Sequence, residues 1–407
     1  MNKVDRSDVV VIGGGILGCA TALQLLAAGV PRVRLLERDD VGGGTTAAGG
    51  GFLGNWAPHG PEAVAYRYGR KFYSGLHADG VDIDYRENSM LYVAASESAW
   101  EDLACNGDQS TRVVSPQEIE DLTGGIVRAA AIRGGLHDRD GAQVHAPKVV
   151  AALAARVRAA GGIIDTRRPV TEITTRGGRV EAVQTAHGPV ACDAVVVAAG
   201  AWSSDLCRQL GFFLPVVPQV TSRITTGARQ VPVTLPTLFF SGLVPDEPGG
   251  GTMLWVRGHH GGLVWGGTYE VHPRHIFVDA PVPDRLDELP VDGVLEILRV
   301  ADRGAEVIPS LAGRERLMVR HGTPCYTPDM RALVGPIPGV SGGYLLAGDN
   351  ESGITYGPGY AKALAELITG RRDDVDEFDQ LRPDRFGDTI TTQQQVLDAM
   401  MDSYKAM

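Results

Sequence analysis

Three glycines and one glutamate near the start of the chain have the types and the spacing that bind a dinucleotide. Gly13, Gly15 and Gly18 follow a short β-branched strand, and a helical apolar pattern begins within the same turn. Such a turn lets backbone N–H groups at the helix N-terminus approach a pyrophosphate. Glu37 ends the next predicted strand, where a carboxylate accepts hydrogen bonds from both ribose hydroxyls. The sequence therefore predicts a dinucleotide cofactor bound by residues 8–37.

Glycine spacing alone is weak evidence in this chain, because 53 of its 407 residues are glycine. Gly49, Gly51 and Gly54 repeat the spacing, but no apolar strand precedes them and no helical pattern follows, so they are predicted to form a loop. The small residues of that loop suit a backbone that lies against a ligand beside the first unit.

Two later segments repeat the order of strand, small-residue corner and helix. The apolar strand that contains Val195 and Val197 ends at Ala199-Gly200, and a strand from Tyr344 to Ala347 is followed by a helix predicted over Pro358 to Ile368. Because the carboxyl ends of parallel strands meet at one edge of a sheet, the three corners are expected to converge on one site. Residues 213–330 instead predict an antiparallel sheet over a ligand space.

Composition narrows the function classes. The chain has 38 basic and 49 acidic residues, a net charge of −11, and no basic cluster interleaved with aromatic residues, which argues against a nucleic-acid partner. The five cysteines are scattered without a Cys-x-x-Cys pair, so the sequence predicts neither a disulfide framework nor a metal site, and it favours a cytoplasmic location. No stretch approaches 18 uninterrupted apolar residues, which predicts that no segment crosses a membrane.

Five motifs in a fixed order resemble those of the D-amino acid oxidase-like flavoproteins, which include glycine oxidase, sarcosine oxidase and dimethylglycine dehydrogenase. They are VVVIGGGILGCATALQLLAAG with Glu37, Gly44-Thr45-Thr46, DAVVVAAGAWS, YTPDMRALVGPIPG and GDNESGITYGPGYAKALAELI. The resemblance implies FAD and an α/β fold, with a Rossmann-type FAD-binding domain beside a mainly antiparallel α+β substrate domain. The implied ranges are 1–85, 141–212 and 331–380 for the FAD domain, 86–140 and 213–330 for the substrate domain, and 381–407 for a C-terminal helical tail.

The same resemblance assigns roles to individual residues. Glu37 and Arg38 are expected at the adenosine ribose, Thr45 and Thr46 at the diphosphate or ribityl chain, and the backbone of Val170 at the adenine edge. The last glycine corner is expected at the flavin pyrimidine ring, where a helix N-terminus stabilises negative charge. The predicted cofactor contacts are Gly13, Gly15, Ile16, Leu17, Gly18, Glu37, Arg38, Gly44, Thr45, Thr46, Gly50, Val170, Ala199, Gly200, Trp202, Cys325, Gly348, Gly353, Ile354 and Thr355.

The chain departs from the family where the substrate carboxylate is bound. Glycine oxidase-like members carry an Arg-Pro pair just before the TPD-type segment, whereas this chain has Pro324-Cys325. The usual bidentate carboxylate clamp is therefore not expected at this position, Arg257 or Arg320 are the nearby candidates to replace it, and a larger amine becomes the expected substrate. The candidate substrate contacts are Arg257, Arg320, His321 and Asn350.

Two further departures concern the flavin. Cys325 lies near the cysteine that monomeric sarcosine oxidases attach to the flavin, but its spacing to Asp329 is shorter, so a buried apolar cysteine is favoured over a covalent link. Those oxidases also have a lysine that promotes the reaction with O₂, in a Gly-Leu-Lys strand that reads Gly262-Leu263-Val264 here. The electron acceptor is therefore left open between O₂ and a redox partner.

The leading hypothesis is oxidation of an amine to an imine, with hydride transfer to flavin N5 and no acid–base pair. One alternative is an FAD-dependent dehydrogenase of D-amino acids or N-methyl amino acids. An NAD-dependent dehydrogenase would explain the first glycine turn but not the late glycine-rich helix start. A non-catalytic flavin-binding subunit would explain the missing arginine and lysine.

Overall fold

A computed structural model describes residues 5–57, 59–105, 111–227, 231–243, 254–267, 275–313, 316–371 and 375–406. Its strands are β1 (Asp5–Ile12), β2 (Val33–Leu36), β3 (Phe52–Leu53), β4 (Met90–Ala94), β5 (Thr111–Val114), β6 (Gly134–Asp138), β7 (Ala142–Gln143), β8 (Ile163–Asp165), β9 (Val170–Arg176), β10 (Arg179–Thr185), β11 (Val190–Val197), β12 (Val217–Pro218), β13 (Thr221–Thr225), β14 (Thr237–Ser241), β15 (Leu254–His259), β16 (Gly262–Gly267), β17 (Met318–Gly322), β18 (Cys325–Tyr326), β19 (Leu333–Pro336) and β20 (Gly343–Ala347).

Helices alternate with these strands through the chain. The α-helices are α1 (Ile16–Ala27), α2 (Gly60–Ala78), α3 (Glu97–Cys105), α4 (Pro116–Leu122), α5 (Ala146–Ala159), α6 (Ser203–Gln209), α7 (Asp292–Gly304), α8 (Gly353–Thr369), α9 (Val375–Phe378) and α10 (Gln393–Ala406). Among the described helices, none combines the length and the apolar composition that a bilayer-spanning segment needs.

The first large sheet has the predicted Rossmann-type organisation. Its strands lie in the order β19-β20-β11-β1-β2-β8, with β10 and β9 continuing from β11. The pairs of β1 with β2 and β11, of β2 with β8 and of β11 with β20 are parallel. The carboxyl ends of β1, β2, β11 and β20 therefore share one edge, which is the edge predicted from the three corners.

Both faces of this sheet are covered, which explains the uninterrupted apolar runs in β1 and β11. On one face, α1 packs against α5 and α8, and α8 packs against α2. Val9 and Val11 contribute to the core on that face, whereas Val10 and Ile12 contribute to the core on the other. The period-two alternation of β1 thus supplies two cores from one strand.

The second large sheet is mainly antiparallel, which confirms the predicted fold class. Its order is β17-β13-β16-β15-β14-β4-β6-β5, and its one parallel pair is β14 with β4. All eight strands lie within 86–140 and 213–330, the ranges expected for a substrate domain. Helix α10 packs against strands β12 and β18 of its own chain, where Val396 and Met400 contact Val217 and Tyr326.

One helix starts earlier than its sequence indicated. The sequence predicts a start at Pro358, but α8 begins at Gly353 and contains Pro358. Proline cannot donate to the carbonyl four residues earlier, which belongs to Ile354. The Tyr73 hydroxyl of α2 donates to that carbonyl at 2.7 Å. A tertiary contact therefore supplies the bond that the proline removes.

Candidate functional site

The glycine turn after β1 requires residues without a side chain at two positions. Gly13 has φ +110°, and a Cβ there would lie 2.3 Å from the carbonyl oxygen of Ala198. A Cβ on Gly18 would lie 1.9 Å from the carbonyl oxygen of Gly13. These close approaches let β1, β11 and α1 meet at the turn, so that the N-terminus of α1 faces the cavity at the sheet edge.

Glu37 is positioned at the end of β2 by two backbone groups. Its Oε2 accepts a hydrogen bond from the backbone N–H of Gly14 at 2.6 Å, and its Oε1 accepts one from Asp39 at 2.7 Å. A carboxylate has about four lone-pair sites, so both oxygens can still accept ligand hydroxyls. The structure therefore holds this side chain in an orientation suited to a ribose.

Arg38 lies at the same end of the cavity as Glu37 and contacts residues of both domains. Its guanidinium lies 4.4 Å from the ring centroid of Trp202, and it donates to a carboxylate oxygen of Asp284 at 2.8 Å. The indole N–H of Trp202 donates to the carbonyl of Pro283 at 3.2 Å. The family motifs predict Arg38 and Trp202 here but give no role to residues 283–287, of which four line the cavity.

Two buried arginines hold the glycine-threonine loop. Arg223 donates to the carbonyls of Ala47 and Gly49, and Nε of Arg257 donates to the carbonyl of Gly50 at 2.6 Å. Burial is the main cause that lowers the pKa of Arg223 to about 10 and that of Arg257 to about 9. Both guanidinium groups remain charged at neutral pH and donate to backbone oxygens, although Nε of Arg223 is buried without a partner among the described residues.

Threonines connect this loop to its neighbours. The Thr46 hydroxyl accepts a hydrogen bond from the backbone N–H of Ile16 at 3.1 Å, at the start of α1. The Thr45 hydroxyl accepts one from the backbone N–H of Thr323 at 2.9 Å, next to β17. The loop is therefore fixed between the glycine turn after β1 and the second sheet.

The glycine corner before α8 is stabilised by Asn350. The Asn350 side chain accepts from the backbone N–H of Thr327 at 2.9 Å and donates to the carbonyl of Gly348 at 2.7 Å. Beside it, burial is the main cause that raises the pKa of Asp349 to about 6, and the charge of Glu351 contributes to the same shift. Asp349 lines the cavity and was not among the predicted contacts.

Cys325 lies in the cavity wall but is only 2% exposed. Burial is the main cause that raises the pKa of its thiol well above the usual range. A thiol must lose its proton to act as a nucleophile, so this environment does not favour a bond to a flavin. Its geometry agrees with the favoured expectation of a buried apolar cysteine.

The candidate substrate residues separate into two groups. Arg320 and His321 of β17 line the cavity, and Nδ1 of His321 lies 2.9 Å from Oγ of Ser222. Burial lowers the pKa of His321, so its ring is neutral at pH 7. Arg257 is 0% exposed and bonds to backbone carbonyls, and Asn350 is engaged in its own loop. Neither of these two belongs to the cavity wall formed by the described residues.

An aromatic wall also borders the cavity and was missed by the sequence analysis. Phe52 and Trp255 line it and contact each other with ring centroids 5.4 Å apart. Phe52 also contacts Trp56 and Phe239 at 5.7 and 5.2 Å, and Tyr92 stacks on Phe239. These residues come from both domains and share no sequence motif, so only the fold brings them together.

The cavity runs along the edge of the first sheet and has a volume of about 860 Å³. Of the predicted cofactor residues, only Gly18 and Thr355 are missing from its described wall, because Gly18 packs on Gly13 and Thr355 donates to the carbonyl of Phe52 at 3.1 Å. The predicted contacts that do line it are Gly13, Gly15, Ile16, Leu17, Glu37, Arg38, Gly44, Thr45, Thr46, Gly50, Val170, Ala199, Gly200, Trp202, Cys325, Gly348, Gly353 and Ile354.

Comparisons with known proteins agree with this geometry. The family described as DAO, FAD dependent oxidoreductase, matches residues 8–367. Glycine oxidase of Pseudomonas putida is 28% identical over 386 residues, which cover 91% of this chain and 96% of the relative. Human mitochondrial dimethylglycine dehydrogenase is 25% identical over 410 residues, which cover 96% of this chain but only 45% of the relative.

The fold is also shared with a solved structure. The crystal structure of glycine oxidase from Geobacillus kaustophilus superposes with a TM-score of 0.78 at 23% sequence identity, and the match covers 94% of this chain and 99% of the other. FAD is the cofactor that fits the cavity. The close-packed glycine turn after β1, the Glu37 carboxylate and the N-terminus of α8 all lie along one wall of it.

Proposed function

The chain belongs to the DAO family of FAD-dependent oxidoreductases, and on that basis we propose that it oxidises the C–N bond of an amine to an imine. The substrate is an amine other than a simple glycine-like amino acid. When bound, FAD accepts a hydride at N5 from the carbon next to the amine nitrogen. Membership of this family excludes the NAD-dependent alternative.

Residues already described would hold the two ends of FAD. Glu37 would accept hydrogen bonds from the ribose of the adenosine half, the N-terminus of α1 and the Thr45-Thr46 loop would bind the diphosphate, and Gly348 and Gly353 would line the flavin site. The N-terminus of α8 would then favour negative charge on the flavin pyrimidine ring.

The observation that carries the substrate proposal is the cavity wall at Pro324-Cys325. Both residues line the cavity at the position where glycine oxidase-like members have Arg-Pro, and neither offers a cation. Arg257 cannot replace the clamp, because it is fully buried and donates to backbone carbonyls. Arg320 lines the cavity from β17 and is the remaining one of the two arginine candidates for a substrate carboxylate, but it lies at a different position from the family's clamp. A small amino acid therefore loses the bidentate pair at the family's position.

The aromatic wall supports a larger substrate. Phe52 and Trp255 offer apolar surface to an organic group, and an aromatic face also attracts a cationic amine. These side chains orient the carbon that loses the hydride and exclude water from it. The substrate must lose its ammonium proton before the hydride leaves, and the neutral ring of His321 is the cavity-lining base suited to accept it.

The acceptor is O₂ or a redox partner. In β16, Val264 takes the place of the lysine that promotes the reaction of sarcosine oxidases with O₂, and it is fully buried. Slow reoxidation by air would therefore favour a redox partner. This property is measured by mixing the reduced holoprotein with aerated buffer.

An anaerobic amine panel tests the proposal. The FAD-loaded protein is mixed with glycine, sarcosine, D-alanine and N-methylated amines with larger apolar or aromatic groups, and flavin bleaching is followed. We expect bleaching by the larger amines at concentrations where glycine gives none. Preferential bleaching by glycine contradicts the substrate proposal, and no bleaching by any amine favours the non-catalytic alternative.

A further inference from the structure

A group of three histidines lies outside the FAD cavity, where the two domains meet. His145 precedes α5 in the first domain, while His259 ends β15 and His260 begins the turn to β16 in the second. One ring nitrogen from each lies within 4.8 Å of the others. The ring centroids of His259 and His260 are 4.3 Å apart, and both lie within 5.4 Å of the centroid of His145.

Two of these rings have a buried nitrogen without a partner. Nδ1 of His145 and Nδ1 of His259 make no hydrogen bond to any described residue. A buried polar atom without a partner costs about 1–3 kcal/mol in general, so its persistence calls for a ligand or an ordered water. The two orphan nitrogens belong to the same cluster, which points to one ligand shared between them.

The backbone at His260 is also held in an unfavourable conformation. Its φ is +47°, in a two-residue turn that normally prefers Asn-Gly. A two-residue hairpin turn of this kind requires a positive φ at its first position. Here it places the third imidazole beside the other two.

We propose that His145, His259 and His260 bind one divalent transition-metal ion of the zinc class. Imidazole nitrogen is a preferred ligand of Zn²⁺, with bonds of about 2.0–2.1 Å, and three such ligands leave a fourth position for water. Nitrogens bonded to one tetrahedral ion at that distance lie roughly 3.4 Å apart, so binding draws the three rings together from their present separation of up to 4.8 Å.

The ligands sit on elements with fixed backbones. The N–H of His145 donates to the carbonyl of Ile83 at 2.9 Å, and its carbonyl accepts the first bond of α5 from Val149 at 3.0 Å. His259 is paired with Gly262 in the β15–β16 ladder. A metal ion at this point joins the start of α5 to the hairpin and therefore fastens the two domains together.

The site also lies next to the residues that hold the glycine-rich loop around Gly50 and Gly51, which lies at the FAD cavity. Val144, beside His145, donates to the carbonyl of Gly51 at 2.7 Å, and Arg257, two residues before His259, donates to Gly50. A bound ion restrains both donors at once. Metal binding is therefore expected to slow the release of FAD without contacting it.

Direct metal measurement tests the site. The FAD-loaded protein, freed of any histidine tag and treated with a chelator, is dialysed against Zn²⁺, and bound metal is counted by elemental analysis. We expect one ion per chain, and loss of that ion in His260→Asn and in His145→Gln. The first variant keeps the fold because asparagine suits a positive φ. His187→Asn, which changes an exposed histidine in the turn between β10 and β11, is the matched control and should still bind one ion.

Thermal unfolding and FAD release provide a second readout. Zn²⁺ should raise the melting temperature of the native chain by at least ~2 °C and slow FAD release, with no such effect in His260→Asn. The absence of stoichiometric Zn²⁺ from the native chain overturns the proposal. Equal Zn²⁺ binding by the native chain, both cluster variants and the control also overturns it, because the ion would then lie elsewhere.

Discussion

The hydroxyl of Tyr73 on α2 donates to the carbonyl of Ile354 in the first turn of α8 at 2.7 Å. This carbonyl would normally accept from residue 358, which is a proline. The helix that borders the cavity at Gly353 and Ile354 is therefore completed by a side chain from another helix. Tyr73 is 0% exposed, so water cannot replace its hydroxyl.

Tyr73→Phe should leave the Ile354 carbonyl buried without a donor. We expect the free energy of unfolding to fall by about 1–3 kcal/mol, with weaker FAD binding because the start of α8 loosens. Urea unfolding and FAD titration measure the two effects. Tyr85→Phe, which removes a bond to Glu87 on the protein surface, is the control and should change neither by a comparable amount. Equal effects of the two variants would contradict the role given to Tyr73.

Arg257→Met should destabilise the glycine-rich loop around Gly50 rather than remove a contact with the substrate. It removes the donors to Gly50 and Gly258, and we expect a loss of about 2–5 kcal/mol in the free energy of unfolding, together with faster FAD release. Arg208→Met, which breaks an exposed ion pair with Asp205, should cost under about 1 kcal/mol. If Arg257→Met kept its stability and FAD but lost substrate affinity, Arg257 would be a substrate contact after all.

Glu37→Gln should weaken FAD binding because an amide cannot accept on both of its terminal atoms. Both carboxylate oxygens accept backbone N–H groups, so one donor loses its partner. We expect the dissociation constant of FAD to rise about 10-fold or more, which corresponds to ~1.4 kcal/mol. Glu172→Gln on the exposed side of β9 should leave it unchanged. Unaltered FAD affinity in Glu37→Gln would place the ribose elsewhere.

Asp349→Asn should stabilise the protein at neutral pH. The folded-state pKa of Asp349 is raised from 3.8 to about 6 by burial, so its protonated form favours folding. That contribution is complete below pH 3.8 and is lost as the pH rises to about 6. Relative to the native chain, Asp349→Asn should gain at most ~3 kcal/mol above pH 6 and nothing near pH 3.5. Urea unfolding across this range measures the gain.

Asp388→Asn is the control for that pH series, because Asp388 is exposed. Its stability should run parallel to that of the native chain at every pH. A gain for Asp349→Asn that does not depend on pH would mean that the carboxyl group is not titrating between pH 4 and 6.

Cys325 should not be attached to the flavin. Acid precipitation of the native holoprotein is expected to leave the yellow colour in the supernatant, because the buried thiol is held protonated. Cys325→Ser should behave identically. Colour that stays with the native pellet but leaves the Cys325→Ser pellet would establish a covalent bond.

Much of the cofactor site could be predicted because it is encoded in short contiguous segments. Gly13 to Gly18 with Glu37 form one strand, turn and helix unit, and the bonds that shape it join residues close in sequence. The motif at Gly348 to Ile354 is equally local, although its helix start depends on Tyr73 and was placed too late.

The sequence by itself determined the cofactor class, the two kinds of sheet and the absence of the family's Arg-Pro pair, since each is written in residue types and spacing. Tertiary structure decided the rest, because the partners are far apart in the chain. Arg257 was expected at a substrate, but the fold buries it against Gly50. His145 and His259 had no shared motif, yet packing of the two domains brings their rings to 5.3 Å. Such contacts depend on how sheets and helices close over one another, which no local pattern specifies.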